Sequence, residues 1–350
     1  MGRTETITCE YLKSMEVFAD VLNIVLYLGR KVVKPENITE LDTSYMSIIP
    51  DNIEGVELSD TDTFAKAARI GKKKKTHTNI RRYRYILRMV RFEDIHNNDE
   101  VKSCVRVIAG IEQQTNVHYA MPIRDMLYDA LEYVEQIKKI SATTKRNSKA
   151  VKNLITNAEF LSEIGKDDKL IPVVTIVVYF QTEEWDGPRS LHEMLDFTGM
   201  SEELVKIIPD YKMLILQPSC YDEIPDNELN STLPIVMGLL KCAGSKTEFQ
   251  NYINDHAERF RNLPKDAVEV INEYCSIGVP EERIKEEKVI AMCKAMEEIR
   301  EEERSKGRIK GEQIGKVIAY MDMGVSLEEI AVKLNVTLGE VKQIIHQCPD

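Results

Sequence analysis

The sequence predicts an α/β protein in which helices flank a central mixed β-sheet, followed by an all-helical C-terminal region. Residues 170–180 form a near-continuous apolar run rich in β-branched side chains, which is typical of a central strand buried on both faces. Other strand-like runs alternate with amphipathic helical segments up to about residue 220, whereas residues 230–303 show helical spacing only. This order of elements predicts both the mixed sheet and the helical C-terminal part.

The N-terminal segments predict one helix and one β-hairpin. Residues 11–28 place apolar side chains at helical spacing, and Ser14 stands where an N-cap residue is expected. Residues 84–91 and 101–114 alternate in the manner of strands, and a short polar segment separates them. We therefore expect these two strands to pair as a hairpin.

Three further segments complete the predicted α/β domain. From Pro122 onward, apolar residues recur on one face of a helix. Residues 141–151 are basic, rich in serine and threonine, and lack an apolar pattern, so they predict a surface loop. Residues 211–217 predict another strand after the buried run.

The last 44 residues predict a small bundle of helices. A helix over 307–324 precedes two short helices, each introduced by a capping box, Ser326 with Glu329 and Thr337 with Glu340. Two short helices joined by a tight turn behind a third are typical of a helix-turn-helix unit.

The second short helix offers only Lys342 and Gln343 as side chains that read bases, and Glu340 opposes DNA. A unit that reads DNA and a bundle that binds a protein partner therefore both remain open. A homo-oligomer formed through the C-terminal helices is a third expectation.

Composition excludes several classes of protein. Hydrophobic residues make up 43% and charged residues 30% of the 350 residues, no apolar run reaches membrane-spanning length, and the first residues lack the apolar core of a secretory signal. The seven cysteines are scattered, with no pair at C-x-x-C spacing. This pattern indicates reduced thiols in a cytoplasmic protein rather than a disulfide framework or a zinc site.

Charge is distributed very unevenly along the chain. Residues 66–92 contain eleven basic residues and no acid, so the remainder carries a net charge of −22 while the whole chain carries −11. Tyr83, Tyr85 and Phe92 are interleaved with the basic residues. Such a basic stripe suits a nucleic-acid backbone, and a solvated lysine loop followed by an amphipathic strand is the alternative.

Glu112 and Gln114 end the apolar strand 101–114 and, two residues apart, point to the same face. A carboxylate binds a hard cation, and an amide beside it can orient the attacking water. Other catalytic templates are missing, because the chain has no P-loop, no G-x-S-x-G, no G-x-G-x-x-G after a strand and no H-x-x-x-H pair. Local hydrogen bonding at a strand end is the alternative interpretation of this pair.

Several strings closely resemble the Rpn family of recombination-promoting nucleases, also described as transposases, which have a PD-(D/E)XK core. The strings are ITCEYLKSMEVFADVLNIVLY (7–27), IAGIEQQTNVHYAMPIRDMLYDALEY (108–133), KDDKLIPVVTIVVYF (166–180) and WDGPRSLHEML (185–195). The resemblance extends over residues 5–300, and the strand with Glu-x-Gln followed by MP-x-R is its most specific part. It implies a restriction-endonuclease-like core and Mg²⁺- or Mn²⁺-dependent cleavage of DNA.

The resemblance also implies roles for particular residues. Glu112 is the metal-binding glutamate, Gln114 stands where the wider superfamily has lysine, and Asp20 of the first helix assists the metal. On the next helix Arg124, with Tyr128, meets the scissile phosphate. From its position alone Arg124 could also pair with Asp125 or Asp129. The residues expected to bind DNA are Lys72, Lys73, Lys74, Lys75, Arg82, Arg84 and Arg124.

One position departs from the family pattern. Family members read R-Y-R-D in the first hairpin strand, where the aspartate is the second metal carboxylate, but here Tyr85 follows Arg82-Tyr83-Arg84. A phenol is neutral at pH 7 and a poor ligand for Mg²⁺. Two hypotheses follow: an endonuclease in which Asp20, or Glu93, Asp94 or Asp99 of the hairpin, replaces the missing carboxylate, or a catalytically inactive DNA-binding or interaction protein.

The predicted domain organisation has three parts. Residues 1–225 form the nuclease-like α/β domain, residues 226–306 a helical extension, and residues 307–350 the helix-turn-helix-like bundle.

Overall fold

The structure is a computed structural model that describes residues 2–41, 86–93, 104–148, 156–162, 164–219, 229, 231–286 and 289–346. The chain divides into two compact units. The first comprises Met1–Tyr252 and Glu269–Cys275, and the second comprises Ile253–Val268 and Ser276–Asp350. Residues 226–252 thus belong to the first unit. None of the described helices combines the length and the apolar content that a membrane span requires.

A five-stranded mixed sheet forms the centre of the first unit. In spatial order its strands are β1 (Ile38–Glu40), β2 (Ile86–Glu93), β3 (Cys104–Gln114), β4 (Val173–Tyr179) and β5 (Leu214–Leu216). Strand β2 is antiparallel to both of its neighbours, β1 and β3, whereas β3, β4 and β5 run parallel. The predicted α/β class with a central mixed sheet is confirmed, as is the pairing of the two hairpin strands.

The first unit also contains seven described α-helices. They are α1 (Arg3–Leu12), α2 (Met15–Tyr27), α3 (Met121–Ser148), α4 (Asn157–Ser162), α5 (Glu202–Ile207), α6 (Leu233–Lys241) and α7 (Lys246–Asp255), which runs into the second unit. The helix predicted over 11–28 is in fact two helices that meet at Lys13 and Ser14. Ser14 is the N-cap of the second, and its hydroxyl accepts a hydrogen bond from the Val17 N–H at 3.4 Å.

Side-chain contacts of β3 distinguish the two faces of the sheet. Glu112 contacts Arg124 of α3, whereas the adjacent Gln113 donates its amide N–H to the Thr8 hydroxyl of α1. Since neighbouring residues of a strand point to opposite faces, α1 and α3 cover opposite faces. Arg88 of β2 pairs with Ala109, on the Gln113 face, and packs on Phe18. Helix α2 therefore shares the face of α1.

Helix α3 is longer than the sequence predicts. The loop expected over 141–151 is wrong at least to Ser148, because the helix continues to that residue. Ser141 is buried, and Thr143 donates its hydroxyl to the Lys139 carbonyl one turn earlier at 3.0 Å. Serine and threonine are tolerated in a helix when their hydroxyls bond within the preceding turn, so polarity alone does not end it.

The second unit is mainly helical. It includes the end of α7, α8 (Ala257–Phe260), the antiparallel pair β6 (Leu263–Pro264) and β7 (Val289–Ile290), part of α9 (Lys265–Cys275), α10 (Glu281–Glu286), α11 (Met292–Asp322), α12 (Leu327–Leu334) and α13 (Leu338–His346). The domain boundary predicted at residue 306 falls inside α11, which is one continuous helix of 31 residues.

The last three helices pack around a small apolar core. Val317, Ile330 and Val341 are fully buried there, one from each of α11, α12 and α13. The Ser326 hydroxyl caps α12, accepting from the Glu329 N–H at 3.3 Å. Thr337 and Glu340 bond reciprocally, with the Glu340 carboxylate accepting the Thr337 N–H at 2.7 Å. The predicted helix–turn–helix arrangement is thus present.

Candidate functional site

A buried ion pair lies at the C-terminal end of β3. The Glu112 side chain is fully buried, and its Oε1 lies 2.5 Å from Nη2 of Arg124 on α3. The Gln114 amide, on the same face of the strand, donates to the same oxygen at 3.2 Å. The structure therefore brings together three predicted site residues, Glu112, Gln114 and Arg124.

The first turn of α3 positions Arg124. Its Nε donates to the Tyr128 hydroxyl at 3.2 Å one turn later, and the guanidinium lies 5.7 Å from the centre of that ring. Its side chain keeps 26% of its surface accessible. The sequence position of Arg124 suggested Asp125 or Asp129 as its partner, but the close ion pair is with Glu112. Arg124 instead bridges helix and strand.

A second polar cluster joins α3 to the sheet. Asp129 accepts a hydrogen bond from the Thr175 hydroxyl of β4 at 2.6 Å and another from the Tyr211 hydroxyl at 2.7 Å. Further along the helix, Gln136 exchanges hydrogen bonds with the backbone of Ile171 at 2.7 and 3.0 Å. These contacts fix the helix that carries Arg124. The sequence does not predict these hydrogen bonds, because no local pattern marks partners that are 35 to 82 residues apart.

Asp20 has a different environment from Glu112. It lies on α2 and is 1% exposed, and its Oδ2 accepts the backbone N–H of Ser231 at 2.7 Å. Its Oδ1 is buried and has no hydrogen-bond partner among the described residues. Asp20 belongs to a helix on the Gln113 face of the sheet, whereas Glu112 points to the opposite face, and the two carboxylates have different partners.

The donors described here do not complete a site for Mg²⁺ or Mn²⁺. The described residues contain no group of three or more histidine, cysteine, aspartate or glutamate side chains that could hold a metal ion. Oε1 of Glu112 already faces a guanidinium, and one buried oxygen on each of Glu112 and Asp20 has no hydrogen-bond partner among the described residues. Mg²⁺ takes six oxygens in octahedral geometry, usually from one or two carboxylates together with waters and substrate phosphates. Here the two buried carboxylates of the predicted site, Glu112 and Asp20, are on opposite faces of the sheet. We therefore assign no chemical step to a metal.

Most of the predicted basic stripe, including Lys72, Lys73, Lys74, Lys75, Arg82 and Arg84, lies outside the described residues, as do Tyr85, Asp94 and Asp99. Glu93 ends β2, paired with Cys104. Arg88 is described, and it is not part of a surface stripe, because it is 2% exposed. It donates to the backbone carbonyls of Lys13 and Ser14 and stacks on Phe18, so its role is to hold the α1–α2 junction against β2. Burial lowers the pKa of Arg88, and Glu40 opposes that shift.

An open acidic cavity of about 390 Å³ lies beside this site. Its walls include Tyr119, Tyr179, Glu183, Glu184 and Asp186, and Tyr179 pairs in register with Gln114. Burial, followed by the charges of Glu183 and Asp186, raises the pKa of Tyr179. The negative charge of these walls disfavours a phosphate within the cavity.

Fold and site define an α/β protein with a buried carboxylate–guanidinium pair at the C-terminal end of parallel strands. No family model, curated protein or solved structure matches this chain.

Proposed function

We propose that this chain acts on DNA as a nuclease-type protein with a restriction-endonuclease-like core, whose expected activity is hydrolysis of phosphodiester bonds. The observation that carries the proposal is the fully buried Glu112 at the end of β3, which Gln114 and Arg124 contact at 3.2 and 2.5 Å. A strand that ends in Glu-x-Gln and a following helix that starts with MP-x-R are also the most family-specific part of the sequence. The sequence resemblance and this geometry support the same site.

Arg124 is the residue proposed to meet the DNA backbone. Its guanidinium is partly accessible, and its fork of N–H donors matches the oxygens of a phosphate. The Tyr128 hydroxyl and the buried carboxylate restrict its rotation, so little side-chain entropy is lost when it binds. The basic residues 72–75 and 81–84 would add sequence-independent attraction for the backbone.

A second candidate function is binding of DNA without cleavage. The shortage of carboxylates that could bind a metal ion favours this function. The one buried carboxylate at the end of β3 is already neutralised by Arg124, and Tyr85 supplies no negative charge at pH 7. In this function Glu112 positions the guanidinium for a phosphate and takes part in no reaction.

Cleavage of supercoiled plasmid with Mg²⁺ or Mn²⁺ separates the two functions. The proteins compared are wild type, Glu112→Gln, Tyr85→Asp and the double variant, with Glu202→Gln as a control at an exposed glutamate. Cleavage by wild type that Glu112→Gln abolishes supports the nuclease. An inert wild type that binds DNA, together with a Tyr85→Asp variant whose cleavage requires Glu112, supports binding alone.

Binding is measured separately by fluorescence anisotropy of labelled duplex in EDTA over a range of salt. Replacing Lys72–Lys75 by alanine is expected to reduce the slope of log K against log salt by about 3 to 4 units, roughly 0.9 for each phosphate contact. A wild type that neither binds nor cleaves DNA refutes both functions. Cleavage that survives Glu112→Gln refutes the assignment of the site.

A further inference from the structure

The middle of α11 presents a stripe of four charged residues whose order is unusual. Glu297, Glu301, Arg304 and Arg308 follow one another at spacings of four, three and four residues, so they lie on one side of the helix. We refer to these four residues as the charged stripe. All four side chains are exposed, and none forms an ion pair with another described residue.

Other contacts of α11 leave the charged stripe uncovered. Met292 is fully buried within the second unit and lies about 140° around the helix axis from Glu297, at 3.6 residues per turn. Glu298 is held by Arg283 at 2.6 Å, on yet another side of the helix. The stripe therefore lies on a different side of the helix from Met292 and Glu298.

The charged stripe contains two pairs of like charges within one chain. Glu297 with Glu301, and Arg304 with Arg308, are like-charged neighbours at i and i+4, and such pairs destabilise a helix. Glu301 with Arg304 at i and i+3, and Arg308 with Glu312 at i and i+4, are opposite in charge and offset part of this repulsion. A partner with the opposite order of charges would remove both repulsions.

A second copy of this chain has that order when its helix runs antiparallel. If the two-fold axis passes midway between residues 302 and 303, Glu297 of one copy faces Arg308 of the other, and Glu301 faces Arg304. The same two pairs recur on the other side of the axis, as an isologous contact requires. Four opposite-charge pairs thus form over about 16 Å of helix.

We propose that the charged stripe of α11 is a self-association surface on which two copies of the chain pair as antiparallel helices. This contact is independent of the proposed action on DNA. Because it consists of exposed charges, it is weak and sensitive to salt. The screening length falls from about 10 Å in 0.1 M salt to about 3 Å in 1 M salt.

Sedimentation velocity of the full chain with charge-exchanged variants tests the proposal. One variant carries Glu297→Arg and Glu301→Arg, and the other carries Arg304→Glu and Arg308→Glu. Each variant alone presents four like charges, so we expect its dimer to dissociate with a constant roughly a hundredfold higher than wild type. An equimolar mixture of the two variants restores opposite charges and is expected to form a heterodimer.

Lys310→Glu is the matched control, because Lys310 is exposed on another side of the same helix. The expected result is a wild-type dimer in 0.1 M salt that Lys310→Glu retains, that each double variant loses, and that the mixture recovers. Three outcomes overturn the proposal: a wild type that is monomeric at about 0.1 mM, a dimer that persists in both double variants, or a mixture that stays monomeric. Recovery in the mixture also shows that both variants are folded.

Discussion

Removal of Arg124 tests whether the buried ion pair stabilises the first unit. The Glu112 side chain has no accessible surface, so Arg124→Met leaves a carboxylate inside the protein without its closest cation. Breaking a buried pair from one side costs about 3–5 kcal/mol, and the partial exposure of Arg124 favours the lower end. Methionine keeps most of the apolar stem, so the loss measures charge more than packing. We expect the free energy of unfolding to fall by about 3 kcal/mol.

A double-mutant cycle separates the pair from its surroundings. Glu112→Gln removes the buried charge and keeps the shape, so we expect it to cost only about 1 kcal/mol. The double variant has neither charge and is expected to lose about 2 kcal/mol, which gives a coupling energy of about 2 kcal/mol. Arg189→Met, at an exposed arginine, is the control and is expected to change stability by less than about 0.5 kcal/mol.

Fluorescence of the single tryptophan provides the local probe for urea unfolding. Trp185 is 4% exposed and packs edge-on against Tyr179, whose strand is adjacent to Gln114. The probe reports the first unit alone, which matters because a chain with two units need not unfold in one step. Single-variant losses that add without coupling, or an Arg124→Met variant as stable as wild type, would refute the ion-pair argument.

Three further predictions concern other parts of the chain. Arg88→Met removes the guanidinium bonds to the carbonyls of Lys13 and Ser14, so we expect the same fluorescence assay to show a loss of about 2–3 kcal/mol. Burial raises the pKa of the Cys275 thiol to about 12, so at pH 8 its reaction with a disulfide reagent should be at least about tenfold slower in the folded than in the unfolded chain, with Cys275→Ser identifying the signal. Hydrogen bonds from Thr337 lower the pKa of Glu340 below its ordinary 4.5, so their contribution to α13 is present above pH 4.5 and is lost as the pH falls through the lowered value. Amide exchange at Glu340 should accelerate over that acidic range in wild type, and this pH dependence should be weaker in Thr337→Val, which keeps the backbone donor but lacks the hydroxyl.

Apolar runs and their periodicity predicted the sheet, because both are local properties of the sequence. The run from Leu170 to Phe180 contains β4, and the predicted hairpin strands overlap β2 and β3. Boundaries were less accurate, because they depend on contacts with distant residues. The helix predicted over 11–28 is interrupted at Lys13 and Ser14, where Arg88 of β2 binds both carbonyls. No pattern within the first 28 residues predicts the contact with Arg88.

The candidate site was predictable only in part. The two-residue spacing places Glu112 and Gln114 on one face of a strand, and the structure confirms that geometry. The ion pair between Glu112 and Arg124 depends on how α3 packs against the sheet, which is not a local property of the sequence. The sequence neighbours of Arg124, Asp125 and Asp129, suggested other partners for it. Arg88 was counted with a surface stripe because its charge is visible in the sequence, whereas the ring and carbonyls that bury it are not.

Charge balance connects the ion pair with the choice between the two proposed functions. A buried carboxylate must be neutralised, and in this structure a guanidinium already neutralises Glu112. A divalent cation added beside Arg124 would bring the local positive charge to three against one carboxylate, and Tyr85 adds no negative charge at pH 7. Asp20, another carboxylate of the predicted site, is held by the backbone N–H of Ser231, and its Oδ1 has no hydrogen-bond partner among the described residues. On electrostatic grounds the site suits one phosphate bound to Arg124 better than a metal ion, and for this reason the gain of cleavage in Tyr85→Asp is the most decisive of the proposed measurements.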